Sequence, residues 1–329
     1  MSDELFEAYL NQFDDAAWTR VVDGLLKHIH PVDRTATPIW FAFFPLALHQ
    51  AFEEVDDRAP LLKKLQILGR YRLADQIDSS HGFLYGHRYW LDAKRVIVER
   101  ERSSRSPRTL DLIDQILELA AEAAVTSHVD RSLLAGITAV ALMTRRQVGF
   151  DAFAASPGLV TLDASILRRT PEQVLAARAR DDGQGLFGFL KGDKKTWTVT
   201  FSEQDETARF PLIHSQHLTT AAGADTRDHR TRDPRCSEGP IPVECRTATC
   251  GTCWIGVLGG AEKLSPLDDL ERKRLREFGY LDTDEDRPII RLSCMAQAYG
   301  AISIVIPPWN GIVGKFVKTW KDRQAALAG

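Results

Sequence analysis

The stretch that decides the fold is Pro242-Val-Glu-Cys-Arg-Thr-Ala-Thr-Cys-Gly-Thr-Cys-Trp254. It holds three of the chain's five cysteines, Cys245, Cys250 and Cys253, at the spacing C-x4-C-x2-C. A fourth, Cys294, follows much later in Arg291-Leu-Ser-Cys-Met-Ala. Three close thiols and one distant thiol form the ligand arrangement of a [2Fe–2S] centre. A short loop wraps such a cluster and the last ligand closes the cage from elsewhere in the fold. Thiolate is soft and anionic, which suits iron in both of its oxidation states. Cys-Gly-Thr-Cys also occurs in zinc ribbons, but those join one C-x2-C to another, and here the distant partner is a single cysteine. Cys236 stands apart as a spare thiol in the polar loop 226–240.

Outward from this loop the apolar period is that of strands. Trp197–Phe201 and Ala208–Ile213 alternate and read as a strand pair turned at Gln204-Asp205. His214–Ala222 reads as a short helix, Cys253–Leu258 as a strand ending at Gly259-Gly260, and Leu267–Phe278 as a helix opened by Ser265-Pro266. Pro288–Leu292 leads to Cys294, and Ala301–Ile306 is a final strand.

At these residues the sequence resembles the [2Fe–2S] ferredoxin family with the β-grasp fold. The resemblance covers about residues 196–308 and includes the order of elements as well as the cysteines. Gly251 stands between the second and third thiols, where the family has a small residue, and Arg291-Leu-Ser-Cys-Met-Ala-Gln resembles the family's Arg-Leu-Ala-Cys-Gln. The resemblance implies that Cys245, Cys250, Cys253 and Cys294 are the ligands, two to each iron. Two departures stand out. Ala248 occupies a position where many members carry glycine, which predicts a slightly altered loop. The gap from Cys253 to Cys294 is nearer that of the adrenodoxin-like members. Thr247, Thr249 and Thr252 can offer hydroxyls to sulfur, and Arg246 adds a positive charge beside the first ligand.

Residues 196–310 carry 13 Lys and Arg against 17 Asp and Glu. Much of that acid lies in and after the helix. In related ferredoxins such a region docks basic reductases and acceptors, so the resemblance implies a redox partner protein docking on Asp268, Asp269, Glu271, Glu277, Asp282 and Asp284. Complementary charge of this kind speeds encounter. Arg272, Lys273, Arg274 and Arg276 lace the same helix and dilute the patch.

Residues 1–185 lack cysteine and read as helix after helix: Asp3–Phe13, Asp15–His30, an aromatic helix from Thr37-Pro38, Arg58–Ile77, Ser80–Glu101, Thr109–Val125 and Asp130–Gln147. Thr170-Pro-Glu-Gln173 opens a further short helix. Six of the nine histidines lie here: His28, His30, His49, His81, His87 and His128. His81 and His87, with Gly82 and Gly86 leaving room for a planar group, are the candidates for a haem or other second cofactor.

The expected class is therefore α+β multidomain. An all-α helical bundle (1–185) is followed by a linker (186–195), a β-grasp [2Fe–2S] domain (196–310) and a basic amphipathic tail helix (311–329) that packs back on the protein. A net charge of −3 speaks against nucleic acid. The start is acidic without an apolar leader, and no run approaches the ~20 apolar residues of a membrane span. The location expected is cytoplasmic. No glycine-rich fingerprint for a flavin or nicotinamide is visible, so electrons are expected from another protein. The functional expectation is a one-electron carrier. The alternatives are a ferredoxin-fused enzyme or relay whose helical domain binds a haem, corrinoid or other cofactor or substrate, and a redox-responsive sensor or scaffold.

Overall fold

The computed structural model describes residues 2–103, 111–180 and 195–328. The proposed linker and the Asp181–Gly185 boundary lie outside the described residues, apart from Lys195. The chain forms two compact units, one of Met1–Gln50 with Arg72–Glu172 and one of Ala51–Tyr71 with Gln173–Gly329. The range 1–185 runs across that division, because a short segment from the amino-terminal half belongs to the sheet unit.

The first unit is built on the helix Ser132–Val148. Every residue from Leu133 to Arg145 is buried, as a helix apolar on all sides requires. Helices Trp90–Arg102 and Leu112–Ser127 pack on it. Gly136 lets the buried helix Ala36–Phe43 come close: a Cβ there would lie 2.5 Å from Thr37 Oγ1. Thr37 does not cap that helix, as Thr37-Pro38 suggested, but sits inside it with its hydroxyl donating to Asp33 O. Arg145 is buried and paired with buried Glu101, which ties two of the long helices together.

Two expected helices are replaced by tighter turns. Ser80–Glu101 becomes helical only from Trp90. Before it, the buried Asp33 carboxylate accepts the N–H groups of Tyr85 and Gly86, each at 2.7 Å, and draws the chain into turns and a short 3-10 segment. Within Arg58–Ile77 the α-helix covers only Ala59–Lys64, and a 3-10 segment follows at Leu73–Gln76. Gln66 (φ 51°) ends the α-helix, and Gly69 (φ 92°) lies in the β1 strand (Leu68–Gly69) that follows.

The second unit contains the remaining strands: β2 (Thr196–Thr200), β3 (Arg209–Ile213), β4 (Gln216–His217), β5 (Trp254–Gly259), β6 (Ile290–Leu292), β7 (Gln297–Ala298), β8 (Ile302–Val305) and β9 (Trp309–Asn310). A five-stranded mixed sheet has the order β3-β2-β8-β5-β6. The β2–β8 pair is parallel and the other pairs are antiparallel. β2 and β3 alternate buried and unburied residues, whereas β5 and β8, inside the sheet, are buried on both faces. The helix Asp269–Phe278 lies beside β6 with Leu275 and Phe278 inward. Asp268 caps its start, accepting the Glu271 N–H at 2.6 Å, and Gly279 (φ 83°) ends it. β9 pairs with β1, which explains why Ala51–Tyr71 belongs to this unit. The tail forms a helix, Gly314–Ala328, whose Trp320 Nε1 donates to Glu54.

Candidate functional site

Sheet register brings the distant cysteine to the loop. β5 and β6 pair with Trp254 opposite Leu292. One step beyond that pair, Ser293 donates both its N–H (3.0 Å) and its hydroxyl (2.8 Å) to the Cys253 carbonyl. Cys253 and Cys294 are thereby neighbours at one end of the sheet, both buried.

The other two thiols come from a loop whose backbone is wound by left-handed residues. Arg246, Ala248 and Gly251 have φ of 55°, 58° and 67°. Such a path turns successive N–H groups to one side, a concavity suited to negative charge. The N–H groups of Thr247 and Thr249 both point at Cys245 Sγ, at 3.4 and 3.3 Å. Ala248 supports Cys294 through its backbone N–H. The alanine thus keeps the left-handed conformation that glycine would supply, at a cost of roughly 1 kcal/mol.

The thiols interact as two pairs, Cys245 with Cys250 and Cys253 with Cys294. Burial works to raise Cys245, but the donors of Thr249, Thr247 and Cys250 outweigh it and bring it down to about 6. Burial pushes Cys250 up. The hydrogen bond with Cys294 and then burial push Cys253 well up, and the same bond lowers Cys294. In each pair the contacts favour the anion on one sulfur, Cys245 in the first and Cys294 in the second. Among the described residues no group of three or more His, Cys, Asp or Glu side chains gathers as a single-ion site. Cys245 and Cys250 are half-exposed and form the solvent edge of the site.

The surrounding side chains take definite roles. Thr252 Oγ1 donates to Glu244 at 3.1 Å and the Arg246 guanidinium pairs with Glu238, so each has a carboxylate partner in addition to any influence on sulfur. Cys236 is buried and donates to Pro240 O at 3.2 Å; burial and then Asp233 push it up to about 12. Tyr280 stacks on Trp254 with centroids 4.0 Å apart and planes at 9°. Its hydroxyl lies 2.6 Å from Gly251 O and 2.5 Å from Gly311 O and accepts the Gly311 N–H, which fastens the cysteine loop to the base of the tail. Sequence reasoning missed Tyr280. The signal was its place directly after Phe278-Gly279, where a residue following a left-handed helix stop packs inward.

One expected docking acid is corrected. Glu271 is buried and receives Arg291 Nε at 2.9 Å and Nη2 at 2.8 Å, and it also accepts the Leu292 N–H at 2.8 Å. It holds the strand that leads to Cys294. Glu277 pairs with Arg274 and Lys273, and Asp282 with Arg276. Asp269 and Asp284 are exposed and enter no ion pair among the described residues.

In the helical unit only His81 and His87 come together. Their Nδ1 atoms are 2.8 Å apart, and His81 Nε2 faces Ile77 O at 3.3 Å, so both nitrogens of His81 are engaged. Gly86 is filled from behind: a Cβ would lie 3.0 Å from Ile137 and 3.1 Å from Asp33. That glycine admits a helix and a carboxylate, not a planar group. His30 accepts the Val32 N–H, and His128 ends a helix at φ 54°.

Comparison with protein-family models, curated proteins and solved structures finds no match for this chain.

Proposed function

We propose that the sheet unit is a β-grasp ferredoxin-like domain carrying one [2Fe–2S] cluster, and that the protein is a one-electron carrier. What supports the reading is that a loop wound by left-handed residues aims two N–H groups at Cys245, while the β5–β6 register sets Cys253 and Cys294 side by side. Three loop thiols and one distant thiol suit a two-iron cage better than the paired C-x2-C units of a zinc ribbon. The mixed sheet, with its parallel β2–β8 pair and a helix beside β6, supports the same reading.

The cluster, when bound, supplies a site that takes up and gives back one electron. The chain's own groups do the rest. Cys245, Cys250, Cys253 and Cys294 hold the irons as thiolates. The N–H groups of Thr247, Thr249 and Ala248 offset the extra negative charge of the reduced state and so favour it. Burial of Cys253 and Cys294 keeps water from one side, while the half-exposed Cys245–Cys250 edge is where a partner approaches. A basic redox protein is the partner this reading calls for, met by Asp269 and Asp284.

The test is an absorption spectrum and electron paramagnetic resonance of the purified chain, with iron and sulfide quantified. Two irons and two sulfides per chain and an axial or rhombic signal only after one-electron reduction are expected. Cys294→Ser should abolish or strongly alter that spectrum and Cys236→Ser should leave it unchanged. An unchanged spectrum in Cys294→Ser, or bound zinc in place of iron, overturns the reading.

A further inference from the structure

A second site lies on the sheet unit, lined by none of the thiols. A cavity of about 330 Å³ opens between the end of the helix Ala59–Lys64 and one face of the tail helix. Leu65, Phe316 and Trp320 form apolar walls, and Lys64, Lys315 and Arg323 stand around them. The tail contributes Lys315, Phe316, Thr319, Trp320 and Arg323, the three- and four-residue spacing of a single helix face.

The cavity floor is held by backbone bonds. Ile312 donates to Leu65 O at 2.7 Å, and β9, just before it, pairs with β1, just after Leu65. Close packing completes the floor: a Cβ on Gly311 would lie 2.8 Å from Ile67 and 3.0 Å from Leu65 O.

Cations outnumber carboxylates around this cavity. Lys64, Lys315 and Arg323 enter no ion pair among the described residues. Lys64 Nζ stands 6.0 Å from the centre of the Phe316 ring. The nearby carboxylate, Glu54, accepts the Trp320 indole N–H at 2.6 Å, which fixes that aromatic wall. An apolar surface in water is unfavourable, and unpaired cations around it attract an anion. One ligand satisfies both: an anionic head among the cations with an apolar body against Phe316 and Trp320. A cavity of this volume matches small-molecule sites, whose walls are mostly apolar with a few convergent polar groups.

The geometry points to a binding site for a small amphiphilic carboxylate, a free acid with an aliphatic or aromatic body. The site stands on residues that take no part in holding sulfur, so it does not depend on the iron reading.

Isothermal titration of the full chain with decanoate, acetate and decyltrimethylammonium, all below their micellar concentrations, tests it. Decanoate should bind one to one with Kd on the order of 0.1 mM. Acetate, which has the head alone, and decyltrimethylammonium, which has the tail with the opposite charge, should each bind at least ~10-fold more weakly. Lys315→Glu with Arg323→Glu should weaken decanoate by ~10-fold or more, and Phe316→Ala by several-fold. These side chains are exposed or half-exposed, and unchanged circular dichroism checks that each variant folds. Equal binding of the two decyl probes, no effect of the charge reversal, or no saturable heat overturns the proposal. Sedimentation with phosphatidylglycerol vesicles in the absence of decanoate binding also overturns it, because the face would then be a lipid-surface helix.

Discussion

Replacing Glu271 by glutamine separates two roles that an acidic residue beside the strand before Cys294 can have. If Glu271 were a docking residue, its charge would act on encounter with a partner and leave folding alone. The structure makes it half of a buried ion pair: the Glu271 and Arg291 side chains are 1% and 0% exposed. Two of the guanidinium's bonds go to the carboxylate, and a third, from Nη1, goes to Ser265 O at 2.7 Å. Glutamine turns an N–H group toward the guanidinium and removes the only buried counter-charge described for it. Breaking such a pair from one side costs about 3–5 kcal/mol. At a urea slope of about 2 kcal/mol/M this lowers the midpoint by ~1.5–2.5 M. Glu277→Gln is the control, since a half-exposed pair within one helix contributes ~0–1 kcal/mol. Urea unfolding of both variants, followed by tryptophan fluorescence, gives the comparison. The double variant Glu271→Leu with Arg291→Met should be less destabilised than Glu271→Gln, because it leaves no buried charge unpaired. Midpoints of Glu271→Gln and Glu277→Gln that agree to within ~0.5 M would refute the assignment of Glu271 to the fold.

Three further outcomes are expected. Burial holds His81 well below its ordinary value, and burial brings His87 down to about 4. Both are neutral in the folded helical unit, so stability is full above the unfolded value near 6.5 and is lost as pH falls toward 4, by on the order of 3 kcal/mol for His87; urea midpoints measured across that range should fall in the parent and fall less in His87→Gln. Ala248→Gly should stabilise the chain by about 0.5–1 kcal/mol, since glycine takes φ near 58° without strain, while Gly251→Ala, whose new Cβ would lie 3.2 Å from Phe278, should destabilise it; thermal unfolding reads both. Tyr280→Phe removes a hydroxyl that serves Gly251 and Gly311 and should cost about 2–3 kcal/mol, with faster hydrogen exchange at Gly311 as the local readout.

The parts of the site legible in the sequence are those fixed by neighbours along the chain. The alternation in Trp197–Phe201 and Ala208–Ile213 reappears as β2 and β3, and the Ser265-Pro266 opening precedes the helix Asp269–Phe278. Cys245, Cys250 and Cys253 lie within one loop, so their spacing carries their geometry. The helices that failed were overruled from a distance. Ser80–Tyr89 has helical spacing, yet two N–H groups in it bond a carboxylate some fifty residues earlier, at Asp33, and a tertiary bond of that kind has no local trace. Ala51–Tyr71 has the same character, since its strand partner is Trp309–Asn310 at the far end of the chain.

Glu271 is a different case, because its role was written in the sequence and obscured by its company. It stands four residues before Leu275 and seven before Phe278, the two apolar residues that face the sheet unit's core. By helical period it belongs to the buried stripe. A run of acids around it suggested a solvated, partner-facing surface, yet the same run splits by face. Glu271 turns inward to Arg291, Glu277 is held by its own helix, and Asp269 remains outside. Charge counted along a segment therefore overstates what a partner meets. The period sorts the acids into one that positions the strand before Cys294 and others that can act on an approaching protein. A salt-dependent encounter rate should accordingly respond to Asp269→Asn with Asp284→Asn while stability stays within ~0.5 kcal/mol, the reverse of the pattern expected for Glu271.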